Sequence, residues 1–263
     1  MNVRGRLVLL TMLASVPQFV LGAEGKDNYF QILYDTSTAV SDKFKPDFGY
    51  AVYLKFQGKR ILLDTGTNAE ILAHNIAAAG IDIAKLDAVV MTHDHHDHTG
   101  GLAWLRQKNN KVPVYIPPGQ NYPVHDGVVI EQSLALSKDL MVIRGHSDVP
   151  TAGIYDDLSL AIRTQAGLYV LSSCSHSGVA GIVDRAQKAF NAPVYFFSGG
   201  ARLIFRDAAD TDTVAQALKT RGVKQISPSH CSLSHAVEGR MRNTLGDGLV
   251  ASRLGAKVTL SAP

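Results

Sequence analysis

The stretch Thr92-His93-Asp94-His95-His96-Asp97-His98-Thr99-Gly100-Gly101 follows directly on the apolar run Ala88-Val89-Val90-Met91. That run reads as a short buried strand, so the polar segment starts at a strand end, where sheets of the α/β type gather their ligands. The chain has ten histidines, and those at 93, 95, 96 and 98 crowd into this one segment. A solvated loop has no structural use for that density. Side chains two apart share a face of extended backbone, so His93 and His95 can converge on one centre while Asp97 and His98 turn towards a neighbouring one. Imidazole and carboxylate together suit zinc, and also iron or manganese. Two such ions would activate water and stabilise charge developing on a small-molecule substrate.

Working outward, residues 50–56 and 60–64 read as two strands of a hairpin turned by Gln57-Gly58-Lys59. Asp64-Thr65-Gly66-Thr67 closes the second strand, and the spacing predicts a helix over 69–78. Asp64 has two readings, a cap for that helix or a support for the histidine segment. Downstream, a helix is expected over 102–107, with strands at 112–116 and 140–143 separated by a loop opening on Pro117, Pro118 and Gly119. Strands at 158–163 and 168–172, a helix over 179–189, a strand at 194–197, a helix over 211–220 and a strand at 225–227 continue the pattern. Two closing strands are expected at 248–251 and 256–260. Tyr29, Phe30, Phe44 and Tyr122 fall in expected loops and are candidates to line a cleft. No repeat or low-complexity linker divides the chain, so the organisation is one mixed α/β domain.

Two further polar clusters lie just past apolar strands: Cys174-Ser175-His176 and His230-Cys231. Cys174 and Cys231 are the two cysteines of the chain, enough for one disulfide but not for a disulfide framework. Their histidine neighbours make metal chemistry an equally good reading. No Gly-x-Ser-x-Gly segment is present, and Ser175 and Ser177 have no evident triad partners.

The 263 residues are 46% hydrophobic and 19% charged, sufficient for a substantial core. Lys and Arg number 26 against 23 Asp and Glu, a surplus too small to argue for a nucleic-acid partner. Arg4 and Arg6 precede an apolar stretch over 7–21 that ends in Gly22, the arrangement of a secretory signal peptide. The expectation is a signal peptide over 1–22 and a single domain over 23–263. The mature protein would then be periplasmic or secreted, with no stable membrane anchor after cleavage.

The segment from Thr92 to Gly101 resembles the His-x-His-x-Asp-His signature of the metallo-β-lactamase superfamily, and Ile61-Leu62-Leu63-Asp64-Thr65-Gly66 resembles the strand that precedes it. Ser173-Cys174-Ser175-His176-Ser177-Gly178, Asp156-Asp157 and Pro228-Ser229-His230-Cys231 are similar to motifs of the branch typified by the 7,8-dihydropterin-6-methyl-4-(β-D-ribofuranosyl)aminobenzene 5'-phosphate synthase. The resemblance implies an α/β fold, an αββα sandwich of two mixed sheets flanked by helices. It also implies two divalent metal ions, zinc first, one held by His93, His95 and His176 and the other by Asp97, His98 and His230. Asp97 would in addition orient the attacking water, and Asp64 would support the ligand loop. Cys174 stands where many members place a bridging aspartate, either as a ligand or beside the site. Val142-Ile143-Arg144-Gly145-His146-Ser147 resembles a glycine-histidine ligand segment of other branches, so His146 competes with His176.

One departure is that Gly199-Gly200-Ala201-Arg202-Leu203 replaces the aromatic-histidine pair that the branch carries after its two glycines. Arg202 becomes a candidate to bind a phosphate or carboxylate of the substrate. The activity implied is that of an exported metal-dependent hydrolase acting on an ester, lactone, amide or phosphoester. A pterin-related synthase and a non-catalytic metal- or ligand-binding protein are the alternatives. No feature of the sequence identifies a β-lactam pocket.

Overall fold

Alternation along residues 51–56 sends Val52, Leu54 and Phe56 to one side and Ala51 and Tyr53 to the other, with both sets buried. A strand hidden on both faces must lie inside a layered fold, and that is where it sits in the computed structural model, which describes residues 28–263. The expected signal peptide lies outside the described residues. In chain order the elements are β1 (Tyr29–Tyr34), β2 (Ala51–Phe56), β3 (Lys59–Leu63), α1 (Ala69–Ala78), β4 (Ala88–Val90), α2 (His96–Thr99), α3 (Leu102–Lys108), β5 (Val114–Ile116) and β6 (Val128–Val129). There follow β7 (Leu134–Ser137), β8 (Leu140–Thr151), β9 (Ile154–Thr164), β10 (Gly167–Leu171), α4 (Val179–Phe190), β11 (Val194–Gly199), α5 (Ala208–Thr220), β12 (Gln225–Pro228), α6 (His235–Leu245) and β13 (Lys257–Thr259).

These strands make two mixed sheets. One has the order β13-β1-β2-β3-β4-β5-β6, the other β12-β11-β10-β9-β8-β7. The hairpin between β2 and β3 turns on Gln57 and Gly58, both at positive φ as a two-residue turn with the twist of its strands requires. Side chains from the facing surfaces of the sheets, including Leu54, Leu63, Val90, Leu160, Leu171 and Phe196, fill the central core. Leu62, Val89 and Met91 pack outward against Leu72 of α1 and Leu105 of α3. On the other sheet Val170 and Phe197 pack against Ile182 of α4, Leu218 of α5 and Met241 of α6. The result is the expected αββα sandwich.

The site is positioned by parallel strands. β3 and β4 run in parallel in the first sheet, with Leu63 opposite Val90, while β10, β11 and β12 run in parallel in the second. Their carboxyl ends meet at one edge of the sandwich, and the loops carrying 64–66, 92–98, 173–178, 199–202 and 229–231 start there.

Several expectations are corrected. Asn68, not Asp64, caps α1, accepting from the backbone N–H of Glu70 and Ile71. Tyr29 and Phe30 belong to β1, Phe30 is buried in the central core, and Phe44 joins it. Asp156 and Asp157 lie within β9 rather than before a strand. Residues 248–251 form no strand but a turn with a single bridge from Leu249 to Ile226. The strands at 140–143 and 158–163 are only the apolar inner parts of β8 and β9.

Candidate metal centre

Asp64 is where the site begins. It is fully buried, sits at positive φ, and accepts from the Thr92 backbone N–H at 2.7 Å, the Thr92 hydroxyl at 2.7 Å and His98 Nδ1 at 2.8 Å. A carboxylate at Nδ1 fixes the proton there and turns Nε2 of His98 into the open electron pair. Thr92 Oγ1 also lies 2.9 Å from His93 Nδ1 and 2.6 Å from Ser173 Oγ, joining the histidine segment of one sheet to the Cys174 turn of the other.

The segment leaves β4 extended through His93 and His95 and then coils into the single turn α2. That change of backbone sends the donors to two places. Nε2 of His93 and Nδ1 of His95 face one another at 3.1 Å, and His176 joins them, the three donor atoms lying within 4.8 Å of one another. Asp97, His98 and His230 form a second group within the same limit. There Asp97 Oδ2 lies 3.4 Å from His98 Nε2 and 3.1 Å from His230 Nε2. The six ligands that the resemblance implies are therefore brought together in two groups. His146 is not among them: it pairs instead with Asp156 at 2.9 Å and Asp148 at 3.2 Å.

Cys174 adjoins both groups. Its sulfur is 3.5 Å from His98 Nε2 and clusters with His93 and His98 on one side and with His230 and Cys231 on the other. Both thiols are unbonded and buried, and burial pushes that of Cys174 well up. Gly200, at the end of β11, has no room for a side chain, because a Cβ would press on Cys231 Sγ and the Ser173 carbonyl. Arg202 stands at positive φ beside it, its backbone N–H donating to Cys231 Sγ at 3.2 Å.

Other contacts have no motif to announce them. Nδ1 of His176 donates to the carbonyl of Thr151 at 2.7 Å, and Nε2 of His95 to that of Ala152 at 3.2 Å. Both carbonyls belong to the tip of the β8–β9 hairpin, where Ala152 and Gly153 take positive φ. Asp35, buried after β1, accepts from the backbone N–H of His230 at 2.9 Å and from the hydroxyls of Ser37 and Ser252. Asp157 accepts from the backbone N–H and hydroxyl of Ser177, steadying the turn that presents His176. The strand before Asp35 was read as a loop, so its strand-end position gave no signal, and main-chain carbonyls offer none.

The electrostatics leave His93 and His176 neutral and Asp97 ionised, and hold on His98 a proton that a bound ion would displace from Nε2. Burial and the adjacent imidazoles hold His93 well below the usual histidine range. Burial takes His176 down to about 3 against the pull of the Thr151 carbonyl. Burial also disfavours a charge on His98, but Asp64 outweighs it and raises the group to about 9. Asp97 is held well below its ordinary value: burial opposes ionisation, and the hydrogen bonds of His230 and His98 overcome it. Nε2 of His176 and Nδ1 of His230 are buried without a hydrogen-bond partner among the described residues, and Nε2 of His230 meets only the Asp97 carboxylate. Buried polar atoms left so are costly unless something else meets them, and inward-facing imidazole nitrogens beside an ionised carboxylate fit a borderline divalent ion.

A family model for the metallo-beta-lactamase superfamily matches residues 44–179, more than half of the chain. The chain belongs to this superfamily. Within it, the chain is similar to the 7,8-dihydropterin-6-methyl-4-(beta-D-ribofuranosyl)-aminobenzene-5'-phosphate synthase of Methanocaldococcus jannaschii, 28% identical over 222 residues, covering 66% of this chain and 76% of that protein. A hydroxyacylglutathione hydrolase of Serratia proteamaculans is 38% identical over 82 residues, only 28% of this chain and 30% of the relative. Among solved structures, a metal-dependent hydrolase of the beta-lactamase superfamily superposes with a TM-score of 0.72 at 21% identity, covering 89% of this chain and 99% of that one. That likeness establishes the shared fold.

Proposed function

We propose that the protein is an exported metal-dependent hydrolase that uses two divalent ions, zinc in the first instance, to cleave an ester, lactone, amide or phosphoester of a small molecule. The observation that carries this reading is the pair of adjoining donor groups, His93/His95/His176 and Asp97/His98/His230, with buried ring nitrogens left unpartnered. When bound, such ions supply Lewis-acid activation of water and stabilise developing negative charge. The chain's own part is orientation. Asp64 directs Nε2 of His98, the Thr151 and Ala152 carbonyls direct His176 and His95, and Asp35 seats the backbone of His230. Asp97, ionised and part-exposed, can orient an attacking water by accepting a hydrogen bond from it while its other interactions hold it between His98 and His230. Export rests on the N-terminal sequence pattern.

A synthase reading is favoured by the long alignment with the M. jannaschii enzyme. Ala201 and Arg202, which replace the aromatic-histidine pair of that branch, count against its substrate.

The test is elemental analysis of protein purified without chelator, together with turnover of a panel of esters, lactones and phosphodiesters. Close to two transition-metal ions per chain and hydrolysis of at least one substrate class are expected. His176→Ala should lose metal and turnover, whereas His146→Ala should keep its metal. One ion or fewer after reconstitution would defeat the two-ion reading, and metal without hydrolysis would favour the synthase or a non-catalytic metal-binding protein.

A further inference from the structure

Arg202 is a cation in an unusual place. It caps a short helical turn in left-handed backbone, a conformation that costs a side-chain-bearing residue energy and persists where the surroundings hold it. They do so here: Ala201 N–H donates to Ser232 Oγ at 2.6 Å and Arg202 N–H to Cys231 Sγ, tying the turn to the loop that carries His230. On the other side Ser175 Oγ donates to the carbonyl of Gly200 at 2.7 Å, tying it to the loop that carries His176. The residue is thus clamped between the two strand-end loops whose histidines complete the two donor groups.

Its guanidinium is half-buried, lies 5.1 Å from the centroid of the Phe205 ring, and makes no ion pair or side-chain hydrogen bond with any described residue. The residue adjoins the site: its backbone N–H meets Cys231 Sγ at 3.2 Å, and that sulfur clusters with Cys174 and His230. A fixed, unpaired cation next to a site fit for two dications is repelled by them unless an anion lies between. The donor groups themselves bring only one carboxylate, that of Asp97. Phe205, 58% exposed, lies against Arg202, and Phe48, 39% exposed in the β1–β2 connection with its ring 4.7 Å from that of His230, adds apolar surface beside the second donor group.

We propose that Arg202, braced on Phe205 and fixed between the His176 and His230 loops, is the anchor for an oxyanion group of the substrate, so that the substrate class is acidic: a molecule carrying a carboxylate or phosphate besides the bond that is cut. The planar guanidinium meets either group with two parallel hydrogen bonds. This inference rests on the hydrolase reading for the bond cut, but not for the anion held.

Calorimetric titration of the zinc-loaded full-length protein tests it. The probes are succinate, glutarate and adipate, each beside its own monoamide, with 3-phosphonopropionate as the phosphate arm. Every probe keeps one carboxylate for the metal; the diacids and the phosphonate offer a second anion, and the monoamides do not. The best diacid should bind about tenfold more tightly than its monoamide, Arg202→Gln should erase that preference, and Arg202→Lys should retain part of it. Monoamide affinity and metal content should stay unchanged in both variants. A stronger preference for the phosphonate identifies phosphate as the natural group, and a stronger one for the diacids identifies carboxylate. Equal binding of diacid and monoamide by the parent protein, or a preference that survives Arg202→Gln, overturns the inference. If the protein holds no metal the hydrolase reading fails separately, and titration with inorganic phosphate then decides for Arg202: weaker binding by Arg202→Gln supports the anchor, unchanged binding refutes it.

Discussion

Asp64 concentrates the logic of the site in one carboxylate: it fixes the backbone of Thr92, the hydroxyl that meets His93, and the imidazole of His98. Asp64→Asn keeps the shape but replaces one acceptor oxygen with an N–H, which cannot serve both Thr92 Oγ1 and His98 Nδ1. Loss of such an orienting partner weakens metal binding by about 10–100-fold, and competition with a chromophoric chelator should register a change of that size. Retention of parental affinity would mean that Asp64 serves the fold alone. At this scale the sequence was informative where chemistry resides in side chains. The histidine segment, Asp64, His176 and His230 could all be picked out because each follows an apolar strand. Asp35 followed a segment read as a loop, and its role depends on the backbone N–H of His230, far along the chain. The cysteines remained ambiguous, because both pairing and metal proximity put two sulfurs near one another.

Among the elements, the β8–β9 hairpin is the one most easily overlooked. Its inner halves alternate and are buried, but residues 146–151 are polar or exposed and carry no periodic signal. The same reason hid α6, a polar helix recognisable mainly by its Ser234 cap. Yet the hairpin tip supplies the carbonyls that orient His95 and His176, and its register pairs His146 with Asp156 before the tip bulges. Replacing residues 147–155 with Asn-Gly would close a two-residue turn on that pair and remove both carbonyls. The shortened protein should hold one ion instead of two, losing the one bound by His93, His95 and His176. Elemental analysis, with a thermal melt to confirm folding, checks this, and two firmly held ions in a folded variant would show that the tip is dispensable.

For the whole molecule, the two donor groups span the seam between the sheets: His93, His95, Asp97 and His98 hang from the first, His176 and His230 from the second. An ion bound there crosslinks the layers in the folded state only. At a free concentration 100 times its dissociation constant, such a ligand adds about 2.7 kcal/mol, worth about 5–10 °C in a chain of this size. Chelation should lower the melting temperature by that much, and added zinc should restore it; an unchanged melt would mean that the seam is held by packing alone. Strand and helix order made a single mixed α/β domain legible, whereas the αββα layering was implied by the resemblance to the metallo-β-lactamase superfamily, because the order of elements does not itself say which faces of the strands are covered. The placement of the seam also sets an order in time. Donors emerge during synthesis as His93, His95, Asp97 and His98, then His176, and only near the end His230. The trio around His93 can therefore assemble while β12 is still unmade, and the second trio must wait for it, so the topology dictates which pocket is finished last.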